Sequence, residues 1–126
     1  MIKILHVEDD ADIREIAQLA LGLSGDFEVV QSASGEEALF LVQAFVPDVL
    51  LLDVMMPGMT GRQTLERMRQ IPALERTPAI FMTARAQNSE VEELRELGAA
   101  EVISKPFDPM LLGDQIKAAL KAYAET

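Results

Sequence analysis

The sequence has no cysteine and no tryptophan, and aromatic residues make up only 5% of it. Without cysteine it has neither a disulfide framework nor a thiolate metal site. Positive charge is also scarce: 11 Lys and Arg stand against 21 Asp and Glu, a net charge of −10. Such a balance disfavours non-specific attraction to nucleic acid or to anionic lipid. No apolar run approaches the roughly 20 residues needed to cross a bilayer. The opening MIKILHVEDD meets acids too soon for a signal-peptide core. Ser/Gly-rich linkers and internal repeats are missing as well. These absences argue against direct nucleic-acid binding and membrane insertion and lead us to expect a cytoplasmic protein.

What is present suits one domain. The chain has 126 residues, 49% apolar and 25% charged, enough to bury a core and too apolar for disorder. Short runs rich in Ile, Val and Leu occur at 2–7, 27–31, 48–52, 78–82 and 100–104. Between them apolar residues recur at helical spacing: Ile13, Ile16, Ala17 and Ala20; Ala38, Leu41, Val42 and Phe45; Leu65 and Met68; Val91, Leu94 and Leu97. A last stripe starts at Met110 or Leu111 and runs through Gln115 or Ile116, then Ala119 and Leu120. Punctuation supports these divisions. Ser34–Glu37 and Ser89–Glu92 have capping-box spacing, and Asp108-Pro109 reads as an N-cap followed by proline. Gly98 stands where a helix should stop, and Pro47 closes the second helix. Five alternating strand–helix units predict a doubly wound α/β domain, a parallel sheet with helices on both faces.

In such sheets functional groups collect beyond the carboxyl ends of the strands. Here those ends carry Glu8-Asp9-Asp10, Asp53, Thr83-Ala84 and Ser104-Lys105-Pro106. Carboxylates brought this close repel one another, and at least one should hold its proton unless a cation joins them. Lys105 alone cannot neutralise the cluster. An all-oxygen set of two or three carboxylates suits Mg²⁺, and no calcium-loop motif is present. A metal beside a free carboxylate, a hydroxyl and an ammonium is equipment for handling a phosphoryl group. On this reading Asp53 is the nucleophile, Thr83 a hydrogen-bond donor to a phosphoryl oxygen and Lys105 a point charge on another. Taken singly each residue has a plainer role as a cap or turn; the set on four strand ends does not. We read the lone His6 as structural and Met55, Met56, Met59, Met68 and Met82 as core filler. Arg62, Arg67 and Arg69 are read as a solvated helix face.

The motifs VEDD, LLLDVMMPGMTG, MTARA and SKPF, in this order, resemble those of receiver domains of bacterial two-component response regulators. The resemblance runs from Lys3 to about Ala122 and implies the flavodoxin-like receiver fold, with five helices and strand order 2-1-3-4-5. It implies Asp53 as phosphoacceptor, Thr83 as switch hydroxyl and Lys105 as the family lysine, with a cis Lys105–Pro106 bond. It further implies Asp9 as a direct Mg²⁺ ligand, Glu8 acting largely through water, and the Met55 backbone carbonyl as a ligand. Asp10 falls outside the set. The implied partners are a sensor histidine kinase or histidine phosphotransfer protein as donor and a downstream protein target, with homodimerisation on phosphorylation left open. The only catalysis implied is of the domain's own phosphorylation and dephosphorylation.

Two departures from the pattern carry expectations. Val102 stands where many relatives have a switch aromatic, so output should run through the loop after Thr83 and the fourth helix. Met55 and Arg85 occupy positions that tune dephosphorylation, and neither can orient a water, which predicts a long-lived phospho form. The chain ends at Thr126 with no output domain in it; residues 1–126 are either a stand-alone receiver or one excised from a longer protein, and we expect the former. Three rivals are weaker. A haloacid-dehalogenase-like phosphatase needs an acid where Met55 stands. A flavodoxin-like ligand site needs a phosphate-cradling loop where Glu8-Asp9-Asp10 stands. A pseudo-receiver would have lost one of the site residues.

Overall fold

A strand with no polar face must be covered on both sides, and Val49–Asp53 is such a strand: all five of its residues are buried. The computed structural model describes residues 1–125. It places this strand, β3, at the centre of a five-stranded parallel sheet. The other strands are β1 (Ile2–Val7), β2 (Phe27–Ser32), β4 (Ala79–Thr83) and β5 (Ala99–Ser104). The order is β2-β1-β3-β4-β5, as the resemblance implies. Helices α1 (Ala11–Gly22), α2 (Gly35–Leu41), α3 (Gly61–Met68), α4 (Asn88–Glu96) and α5 (Leu112–Ala124) connect and follow the strands.

Alternation along the strands divides the core in two. Leu5, Val7, Leu50, Leu52 and Phe81 pack with Ala38, Leu65, Met68 and Leu94, under α2, α3 and α4. Ile4, Leu51, Ile80, Met82 and Ile103 pack with Ala17, Leu21, Leu112 and Ile116, under α1 and α5. Truncating a fully buried Leu of β3 to Ala would cost about 2–5 kcal/mol, a large fraction of a domain's stability. The sheet is therefore a stiff base for whatever its strand ends carry.

Local departures from the sequence reading have physical causes. The Ser34 hydroxyl does accept from the Glu37 amide, but the Glu37 carboxylate takes the Ala33 N–H, one residue before the cap. The Ser89 box does not form. Helix α4 starts earlier, at Asn88, and its N-cap Gln87 makes no side-chain capping bond. Asp108 is not the N-cap of α5; it closes a turn by accepting from the Met110 N–H, and the helix begins at Leu112. A complete capping box lies instead at Thr60 and Gln63, opening α3. Gly98 does end α4, at φ 97°. Ile16, Leu97, Met110 and Leu111 are exposed, while Leu21 and Leu112 take the buried positions.

Two further assignments are corrected. Met56, Met68 and Met82 are core residues, but Met55 is 65% exposed and Met59 is only half-buried. Arg69 is not solvated: its guanidinium donates to the carbonyls of Leu74 (2.8 Å) and Thr77 (2.6 Å), holding the turn that leads into β4.

Gly61, the first residue of α3, lies directly against the Asp53 backbone. A Cβ at this position would overlap the Asp53 carbonyl oxygen and stand 3.0 Å from its carbon. Gly61→Ala should therefore lower stability by about 1–3 kcal/mol or more, because backbone on both sides must shift. Chemical denaturation checks this, and an unchanged midpoint would show that the β3–α3 junction is not tightly fitted.

Candidate functional site

Parallel strands bring their last residues to one edge. Asp53 is the last residue of β3, paired in register with Met82, and Thr83 is the last of β4, paired with Ser104. Glu8 follows β1 directly, its amide bonded to the Ser32 carbonyl at 3.0 Å. Lys105 follows β5, and its amide donates to the Thr83 carbonyl at 2.8 Å. Each functional residue is thus tied to the sheet through its backbone.

The side chains of three of them, Glu8, Asp53 and Lys105, meet, whereas that of Thr83 turns to α4. The Lys105 ammonium lies 2.7 Å from Glu8 Oε1 and 2.9 Å from Asp53 Oδ1, bridging two carboxylates that are both buried. Glu8, Asp9 and Asp53 each offer an oxygen, and these lie within 4.8 Å of one another. Asp9 is exposed, so the cluster opens to solvent on its side. Burial pushes the Glu8 carboxyl up to about 7; Lys105 works against that rise and Asp53 adds to it. Burial opposes the charge on Lys105, but the two carboxylates outweigh it and hold the ammonium above its usual range. A cluster of three carboxylates and one ammonium, with one acid partly protonated, is short of positive charge. Its all-oxygen donor set fits a hard divalent cation.

The outer residues support this arrangement. Asp10 is not part of the cluster; its carboxylate caps α1, accepting from the amides of Asp12 and Ile13. The Arg14 guanidinium donates to the Glu8 carbonyl at 2.7 Å. His6 is fully buried, with Nδ1 3.1 Å from the Gln31 amide nitrogen, which also reaches the Arg14 carbonyl at 2.7 Å. Burial, helped by Lys105 and Arg14, pushes the His6 imidazole down to about 4, so it stays neutral as a structural residue would. The Lys105–Pro106 bond is cis. Met55 and Arg85 are exposed beside the strand ends, and Val102 is half-buried against the core.

Sequence reasoning missed one contact. The Thr83 hydroxyl donates to Glu90 Oε1 at 2.8 Å, on α4, and accepts from the Arg85 amide at 3.0 Å. Seven residues separate Thr83 from Glu90, and only the path of the intervening loop brings them together.

The fold and site together define a doubly wound α/β domain with an acidic, lysine-bridged centre at the carboxyl edge of its sheet. Residues 4–117 match the family described as the response regulator receiver domain, and the chain belongs to that family. Sporulation initiation phosphotransferase F of Bacillus subtilis is 38% identical over 96% of this chain and 92% of its own length. Response regulator Rre1 of Synechocystis is 33% identical over 95% of this chain and 50% of its own. The phosphate regulon regulatory protein PhoB of Rhizobium meliloti is 38% identical over 94% and 52%. The chain therefore spans about half the length of several relatives it matches. Among solved structures, the Vibrio cholerae chemotaxis protein CheY4 superposes with a TM-score of 0.87 at 31% identity, covering 94% of this chain and 98% of that one. No helix among the described residues is long and apolar enough to cross a membrane.

The raised Glu8 carboxyl yields a pH prediction. The folded state keeps a proton there that the unfolded chain releases, so this contribution to stability is complete below about 4.5 and is lost as pH rises through about 7. A divalent cation bound to the ionised cluster would compensate above that range. Mg²⁺ should raise the melting temperature by several degrees at about pH 8 and barely at about pH 5. Thermal denaturation with and without Mg²⁺ measures this; an equal shift at both values would place the cation elsewhere.

Proposed function

We propose that this receiver domain, residues 1–126, accepts a phosphoryl group on Asp53 from a phosphohistidine and thereby changes its binding to a downstream protein. The donor is a sensor histidine kinase or a histidine phosphotransfer protein. The observation that carries the reading is the Glu8–Lys105–Asp53 bridge, a buried carboxylate held by an ammonium at the end of a rigid strand. In the transfer an Asp53 oxygen bonds to phosphorus as the bond from phosphorus to the donor imidazole breaks, its electron pair remaining on the nitrogen. Such a transfer needs positioning and charge neutralisation more than covalent assistance.

Glu8, Asp9, Asp53 and the Met55 carbonyl would hold Mg²⁺, which supplies neutralising charge for the phosphoryl oxygens. Lys105 exchanges part of its contact with Asp53 for a phosphoryl oxygen. The Thr83 hydroxyl turns to donate to another. These new contacts bias a two-state element at the strand ends, which the partner reads. An apolar groove of about 510 Å³ lined by Ile13, Ile16, Ala84, Lys105, Phe107 and Pro109 adjoins the site and supports docking of a protein donor. Catalysis is confined to the domain's own phosphorylation and dephosphorylation. The phosphatase alternative finds no support, since exposed Met55 supplies no general acid.

Intact-protein mass after acetyl phosphate and Mg²⁺ tests the proposal. The wild type should gain one phosphoryl group, and neither the Asp53→Asn variant nor a Mg²⁺-free sample should. A gain that persists in Asp53→Asn would move the acceptor to another residue. Because Met55 and Arg85 cannot orient an attacking water, the phospho form should decay slowly, and Met55→Asn should shorten its lifetime several-fold. Rapid loss from the wild type would refute that part.

A further inference from the structure

We propose that Glu90 is a positioning residue for Thr83. It holds the hydroxyl in its unphosphorylated place, and phosphorylation of Asp53 frees the first turn of α4 by taking that hydroxyl away. The inference rests on the receiver reading above and extends it to a residue that the motifs do not contain.

A threonine hydroxyl has one hydrogen to donate. Here it is committed to Glu90 Oε1 at 2.8 Å, while the oxygen already accepts the Arg85 N–H at 3.0 Å. A phosphoryl group on Asp53 and the Glu90 carboxylate therefore compete for the same hydrogen, and both cannot have it. Phosphorylation also adds negative charge at the neighbouring strand end, which repels a carboxylate held at Thr83.

The position of Glu90 makes the exchange consequential. It is the third residue of α4, where a Glu often reaches back to bond the N-cap amide and close its own helix. Its carboxylate reaches to Thr83 instead, and the N-cap residue, Gln87, makes no side-chain capping bond. Residues 84–89 are exposed. The side-chain bond from Glu90 thus ties the first turn of α4 to the sheet, and its release loosens that turn. This gives a route from Asp53 to α4 that needs no aromatic at position 102, where Val102 cannot swing between two rotamers as a ring does.

Glu90→Ala, Glu90→Gln and Thr83→Ala, with the Glu90→Ala/Thr83→Ala double variant, test the proposal by two readouts. The first is the rate of Mg²⁺-dependent phosphorylation of Asp53 by acetyl phosphate, followed by intact mass. The second is amide hydrogen exchange of the first turn of α4 in unphosphorylated protein. Removing a partly exposed, charge-assisted competitor should speed phosphorylation of Glu90→Ala by about three- to tenfold. Glu90→Gln, which keeps an acceptor without the charge, should fall between it and the wild type. In the Thr83→Ala background the Glu90→Ala change should no longer affect the rate, whereas a general effect on helix stability or surface charge would persist. Exchange of the first turn should quicken in Glu90→Ala without phosphate, and in the wild type only after phosphorylation. Unchanged rate and exchange in Glu90→Ala, with Asp53 phosphorylation intact, would overturn the proposal alone. Absence of any mass gain in the wild type would overturn the receiver reading and the competition with it.

Discussion

One ammonium group organises this site. Lys105 Nζ contacts two buried carboxylates at once, Glu8 at 2.7 Å and Asp53 at 2.9 Å, at a depth where neither acid has much water to share its charge. A buried ion pair costs desolvation on both partners, and removing one partner leaves an uncompensated charge. The arrangement is tenable because the backbone fixes its geometry. Lys105 is tied to β4 through the Thr83 carbonyl, Glu8 to β2 through the Ser32 carbonyl, and Asp53 lies within the ladder of β3. Stability of the sheet and readiness of the site are therefore the same property. Gly61 belongs to that property too, since the close approach of α3 to the Asp53 backbone leaves no room for a side chain.

Most of the fold was legible because its determinants are local and repeated. Five apolar runs separated by helical stripes allow little besides a parallel sheet, and the strands fall within one residue of their expected bounds. The site was legible because the topology itself gathers Glu8, Asp9, Asp53, Thr83 and Lys105 at one edge, without any need to know side-chain conformations. What escaped depends on geometry that spacing does not encode. Ser89 has the right neighbours for a capping box, yet the loop after β4 enters α4 at Asn88, and Glu90 bonds to Thr83. Arg69 looked like a surface charge because the turn at Pro72–Leu74, whose carbonyl it binds, has no strong sequence signature. Met55 and Met56 are adjacent and chemically identical, but only one of them points into the core.

The charge count at the strand ends explains why a hydroxyl, and not another cation, should complete the switch. Three carboxylates and one ammonium leave the cluster with a deficit of two positive charges, which the raised Glu8 carboxyl partly relieves by keeping a proton. One divalent cation brings the count to zero. Converting the Asp53 carboxylate to an acyl phosphate adds back roughly one negative charge. No second ammonium contacts the cluster among the described residues, so the added charge must be met by hydrogen-bond donors. Thr83 is the neutral donor carried by a neighbouring strand end, and its hydrogen is already in use. On the proposed exchange, a phosphoryl group on Asp53 would draw that hydrogen away from Glu90, and chemistry at β3 would become a change at a surface helix because one hydrogen cannot serve two anions.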